Sequence, residues 1–263
     1  MKTCESVPCS RLLFFCIALP LLAGAPIPAS TPSEGELPVQ SGARDVVAVA
    51  ELHRGPRGAH RLAMTLDAGG EADAFPALVA ALSSAGVRST FFLTGEWMQK
   101  HPELVAVLVR EGHEIGNHTW SHRDLTRLDE AQIRAEFKQT AALLAKHSPR
   151  TACRWWRAPF GERDRRVLRI ASSLGLVSVY WTLDSLDSVA PPKSRAFLIE
   201  RITGKSDAQL DGAIILMHVG EPATAAALPE ILRTLQRRGF EVVTVSSLLS
   251  HANASRAGSS RAP

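Results

Sequence analysis

Apolar residues recur at helical spacing in three places along the chain. Phe75, Leu78, Val79 and Leu82 follow the i, i+3, i+4, i+7 pattern of a helix with one buried face. Ile133, Phe137, Ala141 and Leu144 form a second stripe, and Leu228, Ile231, Leu232 and Leu235 a third. Asp129, with Gln132 three residues later, predicts a capping box at the start of the second helix. The helical stretches stop at Gly86, Gly112, Gly175 and Gly239, residues free to take the left-handed conformation that closes a helix. Each glycine precedes a strand candidate: VRSTFFL, HEIGN, LVSVYWTL and FEVVTV. Helix, glycine, strand in repetition predicts βα units on a mainly parallel sheet, an α/β fold of six to eight strands. Periodicity leaves open whether that sheet is flat or closed into a barrel.

The two ends of the chain read differently. Lys2 and Arg11 precede an apolar stretch at 12–23, followed by the small residues Gly24 and Ala25. That is the layout of a secretory signal peptide, with an apolar core too short for a typical membrane span. Pro26 disfavours cutting after Ala25, so we expect cleavage after Ala29, with an uncleaved anchor as the alternative. Residues 1–29 are thus read as a signal peptide, 30–44 as a Pro/Ser/Gly/Glu-rich linker, 45–250 as a single domain and 251–263 as a disordered tail. The expected destination is outside the cell or in the envelope or periplasm, without stable membrane insertion after cleavage. Oligomeric state is not legible.

Composition adds little beyond this. Hydrophobic residues make up 45% and charged residues 21% of the 263, ordinary values for a globular protein. The net charge of +4, with no run of five or more Lys/Arg, argues against nucleic acid as a partner. Three of the four cysteines, Cys4, Cys9 and Cys16, lie in the leader. The mature domain would keep only Cys153, so its core must hold it without an internal disulfide. Within CRWW, Cys153 reads as a core residue rather than a nucleophile.

Chemistry enters at MTLDAGG, residues 64–70. An apolar run ends there in one carboxylate, Asp67, followed by small residues. Such a stretch makes a turn or a ligand site. In parallel α/β folds chemistry gathers at the C-terminal ends of the strands. Asp67 ends RLAMTL, His118 and His122 follow HEIGN, and Arg157 follows CRWW. Asp184 and Asp187 follow LVSVYWTL, and His218 follows AIILM. Ionisable residues at five strand ends on one face favour a site.

Taken in order, these segments resemble the polysaccharide deacetylases with a NodB-homology domain, carbohydrate esterase family 4. TLDAG resembles the family's Thr-Phe-Asp-Asp-Gly, and HTWSH its His-Ser/Thr-x-x-His. RAPFG resembles Arg-x-Pro-Tyr-Gly, DSLDS Asp-x-x-Asp-Trp, and ILMH Leu-x-x-His. The resemblance spans about residues 60–245. It implies a single-domain distorted (β/α) barrel, an acetylated glycan as substrate, hydrolysis of its N- or O-acetyl groups, and a divalent metal, most often zinc.

The resemblance also implies roles. His118 and His122, four apart, would ligate the metal, with Thr119 bracing their loop by a hydrogen bond. Asp67 would be the general base and Arg157 would orient it. His218 would be the general acid, tuned by Asp184, with Asp187 as a neighbour. The backbone N–H of Phe160 would bind the oxyanion. Ile215 and Trp181 would wall a pocket for the acetyl methyl.

Three departures change this picture. Ala68 stands where the family has a second acid, commonly a metal ligand, so weaker metal binding is expected, completed by water or another carboxylate. Nearby Asp73 reads as the N-cap of a helix beginning near Ala74 rather than as a ligand. Ser188 replaces a Trp, opening one wall, and Phe160 replaces a Tyr. The expected function is a secreted, metal-dependent N-deacetylase of peptidoglycan or chitin-like oligosaccharide. The alternatives are an O-acetyl polysaccharide esterase and a catalytically silent glycan-binding protein.

Overall fold

A computed structural model describes residues 51–148 and 152–250, without the side chains of residues 152 and 153. The readings of the leader, the linker, the tail and the Cys153 side chain fall outside it.

The strands are β1 (Glu51–Leu52), β2 (Arg61–Ala68), β3 (Thr90–Leu93), β4 (Glu114–Asn117), β5 (Ala152–Trp156), β6 (Val177–Val179), β7 (Leu183–Asp184), β8 (Ile214–His218) and β9 (Glu241–Val243). They form one sheet in the order β1-β6-β5-β4-β3-β2-β8-β7, with β9 paired to the first three residues of β2. All ladders between these strands are parallel. The helices are α1 (Phe75–Ser84), α2 (Gly95–Lys100), α3 (Pro102–Arg110), α4 (Glu130–His147), α5 (Arg165–Ser173), α6 (Arg195–Thr203), α7 (Asp207–Leu210) and α8 (Pro222–Arg237).

One connection shows how the sheet curls. LVSVYWTL, expected as one strand, is two: β6 lies next to edge strand β1, whereas β7 is the opposite edge. The chain from Val179 to Leu183 reaches at most about 14 Å. The two edges must therefore approach each other, bending the sheet into an incomplete barrel. This is the expected distorted (β/α) barrel.

The predicted helices are present. α1 buries Phe75, Leu78, Val79 and Leu82, and α4 opens with the Asp129–Gln132 capping box. The helix-closing glycines all take positive φ, between +67° and +81°. Asp73 does not cap α1. The N-cap is Ala74, no side chain accepts from the first turn, and Pro76 in that turn has no N–H to satisfy. β2 is buried along nearly its whole length and packs with α1 and α8 into the main core. Among the described residues no helix is long and apolar enough to cross a membrane.

Candidate active site

Parallel pairing brings the strand ends together. In the β2–β8 ladder Asp67 lies opposite His218, and in the β2–β3 ladder it lies opposite Phe92. Arg157, just past β5, is fully buried. Its guanidinium donates to Asp67 Oδ1 at 2.8 Å and to Thr65 Oγ1 at 2.8 Å. It also donates to the carbonyls of Val179 at 3.1 Å and Tyr180 at 3.2 Å, and lies 4.3 Å from the Phe92 ring centroid. Burial disfavours its charge, and Asp67 supplies the opposing one. The carboxylate is thus held from the side, with Thr65 as an unforeseen third member.

The HTWSH segment is pinned from two helices. The first amides of α2 donate to it: Gly95 N–H to Thr119 O at 3.0 Å and Glu96 N–H to Trp120 O at 3.1 Å. Glu136 of α4 accepts from the Trp120 amide at 2.7 Å, the Ser121 amide at 2.9 Å and the Ser121 hydroxyl at 2.6 Å. The Trp120 ring lies so close to Gly95 that a Cβ there would sit 2.0 Å from it, so only glycine fits. Thr119 and His122 take positive φ, 68° and 57°. The Thr119 hydroxyl is buried without a partner among the described residues, so bracing comes from its backbone and not from the expected side chain.

This loop sets the His118 and His122 rings 4.9 Å apart, edge to face. His118 Nδ1 donates to the Arg157 carbonyl at 2.9 Å, leaving its Nε2 3.6 Å from Asp67 Oδ2. Burial pulls the His118 pKa below the usual range, against the charge of Asp67. Burial, then the like charge of His118, push His122 down to about 4. Both rings are therefore neutral near pH 7 and fit a divalent cation as nitrogen ligands. A third protein ligand does not converge on them. Among the described residues no group of three or more His, Cys, Asp or Glu could hold a metal, and Ala68 packs into the core. A cation here would rest on two imidazoles, with water or substrate completing its shell.

His218 belongs to a different pair from the one expected. Its Nδ1 donates to Asp187 Oδ1 at 2.7 Å, and its backbone N–H donates to Asp187 Oδ2 at 2.8 Å. Thr224 of α8 donates to the same oxygen at 2.6 Å. Asp184 instead accepts from the Leu186 amide at 2.7 Å, closing a turn in which Leu186 has φ 64°. That turn points Asp187, not Asp184, at His218. Burial would lower the His218 pKa, but the hydrogen bond and charge of Asp187, with Asp67 and Asp184 behind it, outweigh burial and raise it.

These groups face a cavity of about 620 Å³. Asp67, His118, His122, Phe160, Trp181 and His218 line it, with Asp184 at its wall. Phe160 has φ 57° and packs edge-on against His122 at 4.6 Å. Ile215 does not reach the cavity. It is buried in the core, and Leu216 lines the cavity in its place. Alternation along β8 puts Leu216, not Ile215, on the face of His218.

Residues 54–179 match the family described as polysaccharide deacetylase. The chain is 32% identical over 200 residues to a chitooligosaccharide deacetylase of Bradyrhizobium sp. (strain ANU 289), covering 70% of this chain and 89% of that protein. Its structure is similar to that of a peptidoglycan N-acetylglucosamine deacetylase: TM-score 0.71, 29% identity, 76% of this chain and 93% of that chain covered. It is also similar to a wild-type pseudoenzyme of carbohydrate esterase family 4 from Bacillus anthracis: TM-score 0.70, 25% identity, 76% and 69% covered.

Proposed function

Because this chain belongs to the polysaccharide deacetylase family, we propose that it hydrolyses N-acetyl groups on a glycan, with Asp67 as general base and His218 as general acid. The observation that carries this reading is the Asp67–His218 pair across the β2–β8 ladder, each member held by its own partner. Arg157 pairs with Asp67, while Asp187 raises the pKa of His218. Different partners of this kind, a cation beside one group and a carboxylate beside the other, support the reading of Asp67 as base and His218 as acid.

Asp67 takes a proton from the attacking water. Arg157 keeps the accepting oxygen aimed at it. The N–H of Phe160 donates to the oxyanion as the carbonyl becomes tetrahedral, an interaction worth about 3–4 kcal/mol in comparable sites. His218, whose protonated form Asp187 favours, gives its Nε2 proton to the departing nitrogen. Acetate and a free amine leave. Trp181 and Leu216 supply apolar wall beside the reacting group. His118 and His122 would hold a divalent cation, expected to be zinc, which when bound would polarise the acyl oxygen and acidify water. The leader-like residues 1–29 support export, and with it a glycan of the envelope or the surroundings as substrate.

A second reading is a silent glycan-binding protein. It is supported by Ala68 and by the missing third ligand. Acetate release from N-acetylated chitooligosaccharide and peptidoglycan, with O-acetylated xylan alongside, separates the readings. Release from the amide substrates is expected, and Asp67→Asn should cut it about 10²- to 10⁴-fold with unchanged melting. Activity within a few-fold of the parent would discard Asp67 as the base. Release from xylan alone would make the protein an esterase, and binding without release would make it silent.

A further inference from the structure

Between β6 and β7 the chain passes from one side of the sheet to the other, and Tyr180 and Trp181 lie in that passage. Their rings stack 3.8 Å apart at an interplanar angle of 14°. Trp181 lines the cavity that holds Asp67 and His218. Its ring lies so close to Gly161 that a Cβ there would sit 2.7 Å from it, and 3.1 Å from the Tyr180 ring. Phe160 and Gly161 both take positive φ, 57° and 74°. The cavity wall and the turn that carries the Phe160 N–H are therefore packed as one unit.

Arg163 grips that unit from outside the cavity. Its guanidinium lies 3.8 Å from the Tyr180 ring centroid. Two groups cannot both stand this close on one face, so Arg163 and Trp181 sandwich the Tyr180 ring. Nη1 donates to the Gly161 carbonyl at 2.9 Å. Nε and Nη2 donate to the two carboxylate oxygens of Glu51 at 2.8 Å and 3.1 Å. Glu51 lies in edge strand β1 and is itself held. Ser178 of β6 donates to its Oε1 at 3.0 Å and His53 to its Oε2 at 2.7 Å. Burial opposes the charge on Glu51, but these partners, Arg163 foremost, outweigh it and lower the pKa. Tyr180 and Trp181 belong to none of the buried apolar clusters, so this stack is separate from what holds the core together. Only a planar fork can serve the carboxylate, the carbonyl and the ring at once; a lysine cannot.

We infer that Arg163 is a positioning residue for hydrolysis. Through Gly161 it aims the Phe160 N–H at the developing oxyanion, and through Tyr180 it keeps Trp181 against the acetyl group. It touches neither the substrate nor the reacting atoms. This role rests on the deacetylase reading.

The test is acetate release from N-acetylated chitooligosaccharide by the parent, Arg163→Ala, Arg163→Lys and Glu51→Gln, well below their melting temperatures. A donor aimed at charge that develops only in the transition state acts on kcat and not on KM. Losing such a donor outright costs about 10²- to 10³-fold, so misaiming it in Arg163→Ala should lower kcat about tenfold or more. KM should stay within about threefold, and Arg163→Lys and Glu51→Gln should lie between Arg163→Ala and the parent. A role in stability alone would lower the melting temperature and leave kcat unchanged. A loss of kcat under about threefold in Arg163→Ala, or a KM change as large as the kcat change, overturns the assignment. Should Arg163→Ala not fold, Arg163→Lys and Glu51→Gln decide: kcat reduced at constant KM upholds the assignment, and parental kcat in both overturns it. If the parent releases no acetate, the deacetylase reading fails by itself. The grip is then read from acrylamide quenching of Trp181 fluorescence, taken as the difference between each protein and its Trp181→Phe counterpart. Stronger quenching in the Arg163 variants upholds it, and quenching equal to the parent's overturns it.

Discussion

Strand β4 carries a buried histidine at each end. His113 precedes its first residue and His118 follows its last, 1% and 2% exposed. Burial is the leading reason that both have lowered pKa values. What differs is the partner at Nδ1. The Ser89 amide donates to His113 Nδ1 at 3.1 Å, so that nitrogen is the acceptor and the proton sits on Nε2. That Nε2 has no hydrogen-bond partner among the described residues and lies 3.9 Å from Glu111 Oε2. His118 Nδ1 instead gives its proton to the Arg157 carbonyl, so its Nε2 presents a lone pair toward the cavity. Two neutral rings of equal burial thus offer opposite functions, and only the lone pair can ligate a cation. His218 is a third case: its Nδ1 partner is a carboxylate, which raises the ring's pKa against burial and favours its protonated form.

The largest effect should come from removing the lone pairs. His118→Ala with His122→Ala should strip bound divalent metal from the purified protein and lower hydrolysis at least about 100-fold. His113→Ala should keep the metal content of the parent. Equal metal in all three samples would erase the distinction between the two ends of β4.

A smaller effect is expected at the third ring. His218 must be protonated to act as an acid, and its folded pKa is raised, so the rate should be full below that pKa and fall as pH rises through it. Asp187→Asn removes the largest opposition to burial and leaves only the weaker charges of Asp67 and Asp184, so the alkaline limb should move to lower pH and the neutral-pH rate should drop about tenfold or more. Asp184→Asn should leave the limb nearer its place. A pH–rate series on both variants decides the assignment, and a limb that moves only for Asp184→Asn would restore the original one.

The smallest effect concerns stability. His113, His118 and His122 all have depressed folded pKa values. Below the ordinary value near 6.5 the unfolded chain takes up protons that the native state refuses, so stability is full above that pH and is lost as pH falls toward about 4, the His122 value. His113→Asn keeps an acceptor for the Ser89 amide but cannot titrate. Its loss of melting temperature between pH 7.5 and pH 5 should be smaller than the parent's by a few degrees, with hydrolysis unchanged. An identical loss would mean that His113 does not contribute to acid sensitivity.

Much of this was legible in the sequence, for a physical reason. Parallel pairing puts the end of every strand on one face, so Asp67, His118, Arg157 and His218 could be grouped before any coordinates. The choice between Asp184 and Asp187 was not legible. It depends on the Leu186 turn and on Thr224, 37 residues beyond Asp187. Leu216 could have been found, since it shares a strand face with His218. Glu136 left a faint signal, a charge beside the apolar stripe of Ile133 and Phe137 that the fold buries beneath the HTWSH loop. The division of LVSVYWTL left none, because both halves read equally well as strand.

β2 takes one partner, β3, from soon after it in the chain and two, β8 and β9, from far downstream. Thr65 bonds to the carbonyl of Ile215, 150 residues away, and β9 arrives later still. A nascent chain cannot complete its central strand until nearly all of it has been synthesised. Pairing over such separations is slow, and until then β2 keeps an open edge to which a second chain can add. The same late event brings Asp67 beside His218. The proposed base and acid are therefore brought together in the same event that covers the open edge, and a chain terminated before β8 would have neither.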